Sequence, residues 1–175
     1  ATMKRAALIL ALLALASPAF AAPGATEGPI TNQAQRDATA ERVRGGASCA
    51  RCDLFQIDLS YKDIAGRDFS GSRIRQADLS LATADRANFQ GANLSLTNLF
   101  GARLTGANLT DVNLSGATLV GTYLGGARMH GAVLRGANLS GAELESAAGL
   151  TQAQLSQACG DATTTLPAGL TVPHC

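Results

Sequence analysis

The sequence predicts an all-β coil that turns once in every five residues, and three observations carry that prediction. Large apolar residues recur at every fifth position from Leu54 through Leu59, Ile64, Phe69, Ile74 and Leu79 to Leu144, with Ala84 the one exception. The position two before each of these centres is small: from Ser72 to Ala142 nothing exceeds Val112, and 11 of those 15 residues are alanine. The position two after the centre is glycine in 11 of 19 units. A step of five rotates an α-helix by about 140°, which would smear the apolar residues over every side. On a strand an odd step sends successive members to opposite faces. One side stays buried only if the chain turns within each unit.

The first segment, residues 3–21, reads as a signal peptide. Lys4 and Arg5 precede an apolar run from Ala6 to Ala16, and Ser17, Pro18 and Ala19-Phe20-Ala21 form a small-residue cleavage site. The run is shorter than the roughly 20 residues a bilayer span needs, so no membrane span is expected. The expected location is a bacterial periplasm or the extracellular space. Residues 22–48 follow as a flexible lead-in rich in Ala, Gly, Thr and Gln, with a short helix possible around Ala38 to Arg44.

Residues 49–147 hold the repeat. Centre and small residue, two apart, share the inner face, while the residue between them points out. Glycine two after the centre suits a corner that needs an unusual backbone angle. If each unit turns about a right angle, four units close a square coil of 20 residues, stacked at about 4.8 Å. Residues 20 apart should therefore match. Phe69 and Phe89 do, and Leu59, Leu79, Leu99, Leu119 and Leu139 form a uniform column. Nineteen units make about five coils. Ala84 should leave a gap unless Ile64 and Leu104 fill it. Ile57, Lys62 and Arg67 take positions that are small elsewhere, which predicts a first coil distorted or open at its outer face, with the basic heads reaching solvent.

Units such as Ala92-Asn93-Leu94-Ser95, Ala107-Asn108-Leu109-Thr110 and Ala137-Asn138-Leu139-Ser140-Gly141 resemble the A-(D/N)-L-x-x motif of the pentapeptide repeat family. The resemblance covers Cys52 to Ser146 without a slip in phase. It implies a right-handed quadrilateral β-helix. Some members of that family mimic duplex DNA and shield DNA gyrase, which gives one alternative function. Against it, Asp111 is the one acidic residue between Ala87 and Ala142, set against Arg103, Arg128 and Arg135.

Residues 148–175 read as a cap with a disulfide-closed tail. Thr151 and Gln154 form a capping box flanked by Leu150 and Leu155 at staple positions, predicting a short helix over Gln152 to Cys159 that lies across the last coil. Four cysteines in an exported chain favour disulfides. Cys159 and Cys175 bracket the tail, and a bridge closing that loop is worth about 3 kcal/mol. Cys49 and Cys52 stand before the first coil, far from the other pair.

Cys49-Ala50-Arg51-Cys52 also matches the Cys-x-x-Cys redox pattern and gives a second alternative, a thiol-redox protein. That motif gains its chemistry in a thioredoxin-like βαβ context, and the sequence has none. Cys159, His174 and Cys175 lack the paired spacing of a zinc site, so no metal and no cofactor are expected. Asp53, Asp58, Asp63 and Asp68 fall on four successive sides and cannot converge on a substrate, so no catalytic residue is assigned.

Without Lys4 and Arg5 the chain has 12 basic and 13 acidic residues, and tryptophan is absent, which speaks against a nucleic-acid partner. Apolar residues that the 20-residue stacking places along one edge, Tyr61, Leu81, Phe100 and Val120 with Tyr123 around the corner, form the candidate interaction edge, which either meets a partner or is covered by the N-terminal lead-in or the C-terminal tail. The reading is a non-enzymatic, rigid protein-interaction or structural module whose partner is another protein.

Overall fold

The structure is a computed structural model, and it describes residues 33–175. The proposed signal peptide and the start of the lead-in lie outside the described residues. Within residues 49–148 the chain winds as a β-helix-like coil of square plan. Single-residue parallel bridges join positions 20 apart, from Asp53–Arg73 and Asp58–Asp78 to Tyr123–Glu143 and Arg128–Ala148. Four such columns define four faces, with centres that begin at Leu54, Leu59, Ile64 and Phe69. The all-β expectation needs correction in one respect: among the described residues no extended strand forms. A corner falls in every unit, so only one residue per side has the geometry to bridge before the chain turns away.

The centres and small residues fill the bore. Leu79, Leu94, Leu99, Leu104, Leu109, Leu114 and Leu119 are all fully buried, and the Phe69 and Phe89 rings stack with centroids 5.4 Å apart. Ala84 is buried on the face next to those two rings, so the small residue accompanies the bulkiest pair in the column beside it. Each corner is closed by a bond from the N–H three residues past the centre, as in Ala92 N–H to Phe89 C=O at 2.9 Å. The residue two after the centre holds a positive φ, near +60° at Leu81 and Leu96 as well as at the glycines.

One feature of the unit is not apparent from apolar periodicity. Where Asp or Asn precedes the centre, in 11 of the 19 units, it accepts a hydrogen bond from the backbone N–H two residues on, as in Ser80 to Asp78 at 2.8 Å and Ser140 to Asn138 at 2.9 Å. This Asx turn fixes the approach to the corner, which is why short carboxylate and carboxamide side chains recur there.

Both ends depart from expectation. The lead-in is helical over Gln33–Arg44 (α1), starting five residues before Ala38. Its inner face runs Arg36, Thr39, Ala40 and Val43, at helical spacing, and Val43 joins the core. The first coil is not distorted: Thr83 N–H donates to Lys62 C=O at 2.9 Å, and Asn88 N–H to Arg67 C=O at 2.8 Å. Lys62 and Arg67 are both exposed, as expected, with the Arg67 guanidinium beside Gly46. At the other end the helix is Gln152–Leu155 (α2), shorter than the expected Gln152 to Cys159 because a turn follows Leu155. The tail then continues the stacking with loosened spacing, through Asn138–Cys159 and Glu143–Thr165 bridges.

Candidate interaction surface

The regular corners decide which side chains are free to meet a partner. Tyr61 and Leu81 hold the positive-φ position of one corner column, and Phe100 and Val120 hold the position just before it in later coils. All four therefore lie on the corner between the second and third faces. Asn98 Oδ1 accepts from the Phe100 N–H at 3.1 Å, so the ring is carried on a braced turn. Tyr61 is 76% exposed, Phe100 49% and Leu81 43%, while Tyr123, on the third face, is 45% exposed. Val120 is half-buried. No described segment covers Tyr61, Leu81, Phe100 or Tyr123. Leu96, which the sequence reading left out, is 50% exposed on the preceding corner column. Its signal in the sequence was the same as that of Leu81, a leucine where glycine is usual.

The four aspartates of the first coil do separate work. Asp53 pairs with Arg73 at 3.0 Å, and that guanidinium lies 4.6 Å over the Phe55 ring. Asp58 accepts from the Ser60 hydroxyl and N–H, which hold its carboxyl below the usual range. Asp63 accepts from Ala65 N–H, and Asp68 from Ser70 N–H and the Asn88 amide. Between α1 and the first corner lies a cleft of about 450 Å³ lined by Arg36, Arg44, Asp53, Phe55 and Arg73 among others. Its arginines are engaged, Arg36 with Gln33, Arg44 with Glu41 and Arg73 with Asp53.

Cys49 is bonded to Cys52 and Cys159 to Cys175, with Cα separations of 5.6 and 4.8 Å. The first bridge is buried and the second reaches the surface at Cys175. Among the described residues no three histidine, cysteine or acidic side chains converge as a metal site would require.

Residues 68–99, 78–116, 97–136 and 113–147 match the family described as Pentapeptide repeats, in 8 copies. Among solved structures, the chain is 34% identical to a pentapeptide repeat protein from the thylakoid lumen of Arabidopsis thaliana, over 51% of this chain and 55% of that one, with a TM-score of 0.25. It is 25% identical to Rfr23 from the cyanobacterium Cyanothece 51142, over 76% and 98%, with a TM-score of 0.39. It is 24% identical to QnrB1, a plasmid-mediated fluoroquinolone resistance protein, over 58% and 65%, with a TM-score of 0.32. The chain thus spans about half the length of the Arabidopsis protein. No curated protein matches it. With the motif in phase, the small and large positions buried and the family match in 8 copies, residues 68–147 belong to the pentapeptide repeat family.

Proposed function

We propose that this chain is an exported, non-enzymatic scaffold, a right-handed quadrilateral β-helix that offers a rigid protein-binding edge. The single observation that carries the reading is the corner bearing Tyr61, Leu81 and Phe100, apolar and uncovered by any described residue. Large apolar side chains gathered on one corner, rather than scattered singly, mark an interaction site. A braced backbone also reduces the conformational entropy lost on binding. The expected partner is another protein of the periplasm or extracellular space. The gyrase-protecting alternative is disfavoured because the outer faces of the later coils are not acidic. The thiol-redox alternative is disfavoured because both sulfurs of the Cys-x-x-Cys pair are buried.

The test is Phe100→Glu. Wild type and variant are used side by side to capture partners from the native extracellular compartment, and both are melted. Loss of a specific partner with an unchanged melting temperature supports the proposal. A lowered melting temperature means the edge is packed inside the protein, and undiminished capture by the variant removes the edge from the binding site.

A further inference from the structure

Two residues of the first coil are not explained by the fold. Positions 62 and 67 belong to the inward register, where every later unit from Ser72 to Ala142 has a residue no larger than valine, yet they hold Lys62 and Arg67. Their backbone bonds to the second coil are those of any other unit. Neither side chain makes a hydrogen bond or ion pair among the described residues, and both are exposed. An alanine would serve the coil as well.

The two ends of the coil explain the choice. At the C-terminal end the exposed backbone is closed by structure. Leu139 N–H donates to Cys159 C=O at 2.7 Å, Leu144 N–H to Thr165 C=O at 2.8 Å, and Gly136 N–H to Gln157 C=O at 2.7 Å. Gly141 N–H donates to the Asp161 carboxylate. At the N-terminal end the closure is partial. Cys49 and Ser48 bond the backbone of Asp68, and Arg44 reaches Asp58 C=O at 3.4 Å. Between them, the N–H and C=O of Asp63 have no partner among the described residues. The helix α1 lies beside Asp53, Leu54 and Ile57, and Ile57 is buried there. Lys62 falls beyond the helix, on the part of the end that no described residue closes, and the Arg67 guanidinium lies at its margin beside Gly46.

A bare edge is a template for pairing with another chain, and inward-pointing charge is one way to blunt it. We infer that Lys62 and Arg67 keep the N-terminal edge, residues 58–67, from pairing with the same edge of a second copy. A twofold contact through this edge gathers the Lys62 and Arg67 side chains of both copies into one small interface, where like charges repel. Closing it over the bore also strips water from two exposed cations.

The experiment compares the full chain with two double variants, Lys62→Ala/Arg67→Ala and Lys62→Glu/Arg67→Glu. Light scattering after gel filtration over a wide concentration range gives the mass, and amide exchange reads the Asp63 N–H. The wild type should be a monomer with a fast-exchanging Asp63 amide. The alanine variant should shift to the dimer mass and protect that amide, while the glutamate variant, again like-charged across the twofold, should stay monomeric. A monomeric alanine variant overturns the inference, as does a wild type already paired through this edge. Association of the glutamate variant to the same extent as the alanine one also overturns it, because lost stability or lost bulk is then the cause.

Discussion

Gln154 closes the last coil, and its two ends can be tested separately. Its Oε1 accepts from the Thr151 N–H at 2.8 Å and from the Thr151 hydroxyl at 3.0 Å, completing the capping box of α2. Its Nε2 donates to two carbonyls of the coil beneath, Met129 and Ala132, both at 2.9 Å. Gln154→Ala removes all four bonds. At about 1 kcal/mol each, less up to about 2 kcal/mol of side-chain entropy regained, the net loss is about 2 kcal/mol. For a chain of this size that lowers the melting temperature by roughly 4–8 °C.

Gln154→Glu separates the two roles, because it keeps the acceptors facing Thr151 and turns a carboxylate toward the two carbonyls. The charged form is disfavoured there, which raises the folded pKa of the new acid. Its penalty is therefore full at pH 7 and shrinks as pH falls through that raised value, where the protonated acid can donate again. Thermal melts of wild type and both variants at pH 7 and pH 5 give the comparison. A glutamate variant as stable as wild type at pH 7 would refute the assignment of Gln154 as a donor to the last coil.

Two further outcomes follow from the ends and the corners. The Asp161 carboxylate accepts from the Thr163 hydroxyl and N–H and from Gly141 N–H, which hold its pKa below the ordinary 3.8. Its stabilisation is present above that value and is lost as pH falls below it, so Asp161→Asn should flatten the acid limb of a melting-temperature profile. Gly101 and Gly121 both hold positive φ, yet a Cβ at Gly101 would stand 2.7 Å from Leu81 Cδ2 while one at Gly121 meets nothing within 4 Å. Alanine at either site should cost about 1–2 kcal/mol of left-handed strain. Gly101→Ala should cost more in urea titrations, and Leu81→Ala should bring it back to the level of Gly121→Ala.

The bore was legible in the sequence because burial admits few side chains. A period of five with a small residue two positions earlier left one arrangement, and the Phe69–Phe89 match gave the 20-residue coil before their stacking was seen. The start of α1 was not legible, because its inner face uses Arg36 and Thr39 where an apolar pattern would be sought. The tail escaped because its bridges run at spacings of 21 and 22, which break the five-residue phase while keeping the pairing. The role of the Asx residues was visible only as polarity. Their function is a bond to the backbone two residues on, and composition cannot display a bond.

The same accounting bears on where specificity can reside. In the regular units the centre and the small residue are committed to the bore and the residue two after the centre to a positive φ, and where Asp or Asn stands between small residue and centre it is committed to the Asx turn. The position just after the centre is left open by the fold, and Phe100 and Val120 stand there, while Tyr123 takes a before-centre position that holds no Asx residue. Tyr61, Leu81 and Leu96 are different, since they hold the corner where glycine is free of strain and a side chain costs about 1–2 kcal/mol. Leu81 recovers part of that by covering Gly101, and Leu96 by covering Gly116. Tyr61 is too exposed to recover much from the described residues. A bulky aromatic kept at a strained corner, exposed among the described residues and next to Phe100's column, is what the proposed binding edge would account for.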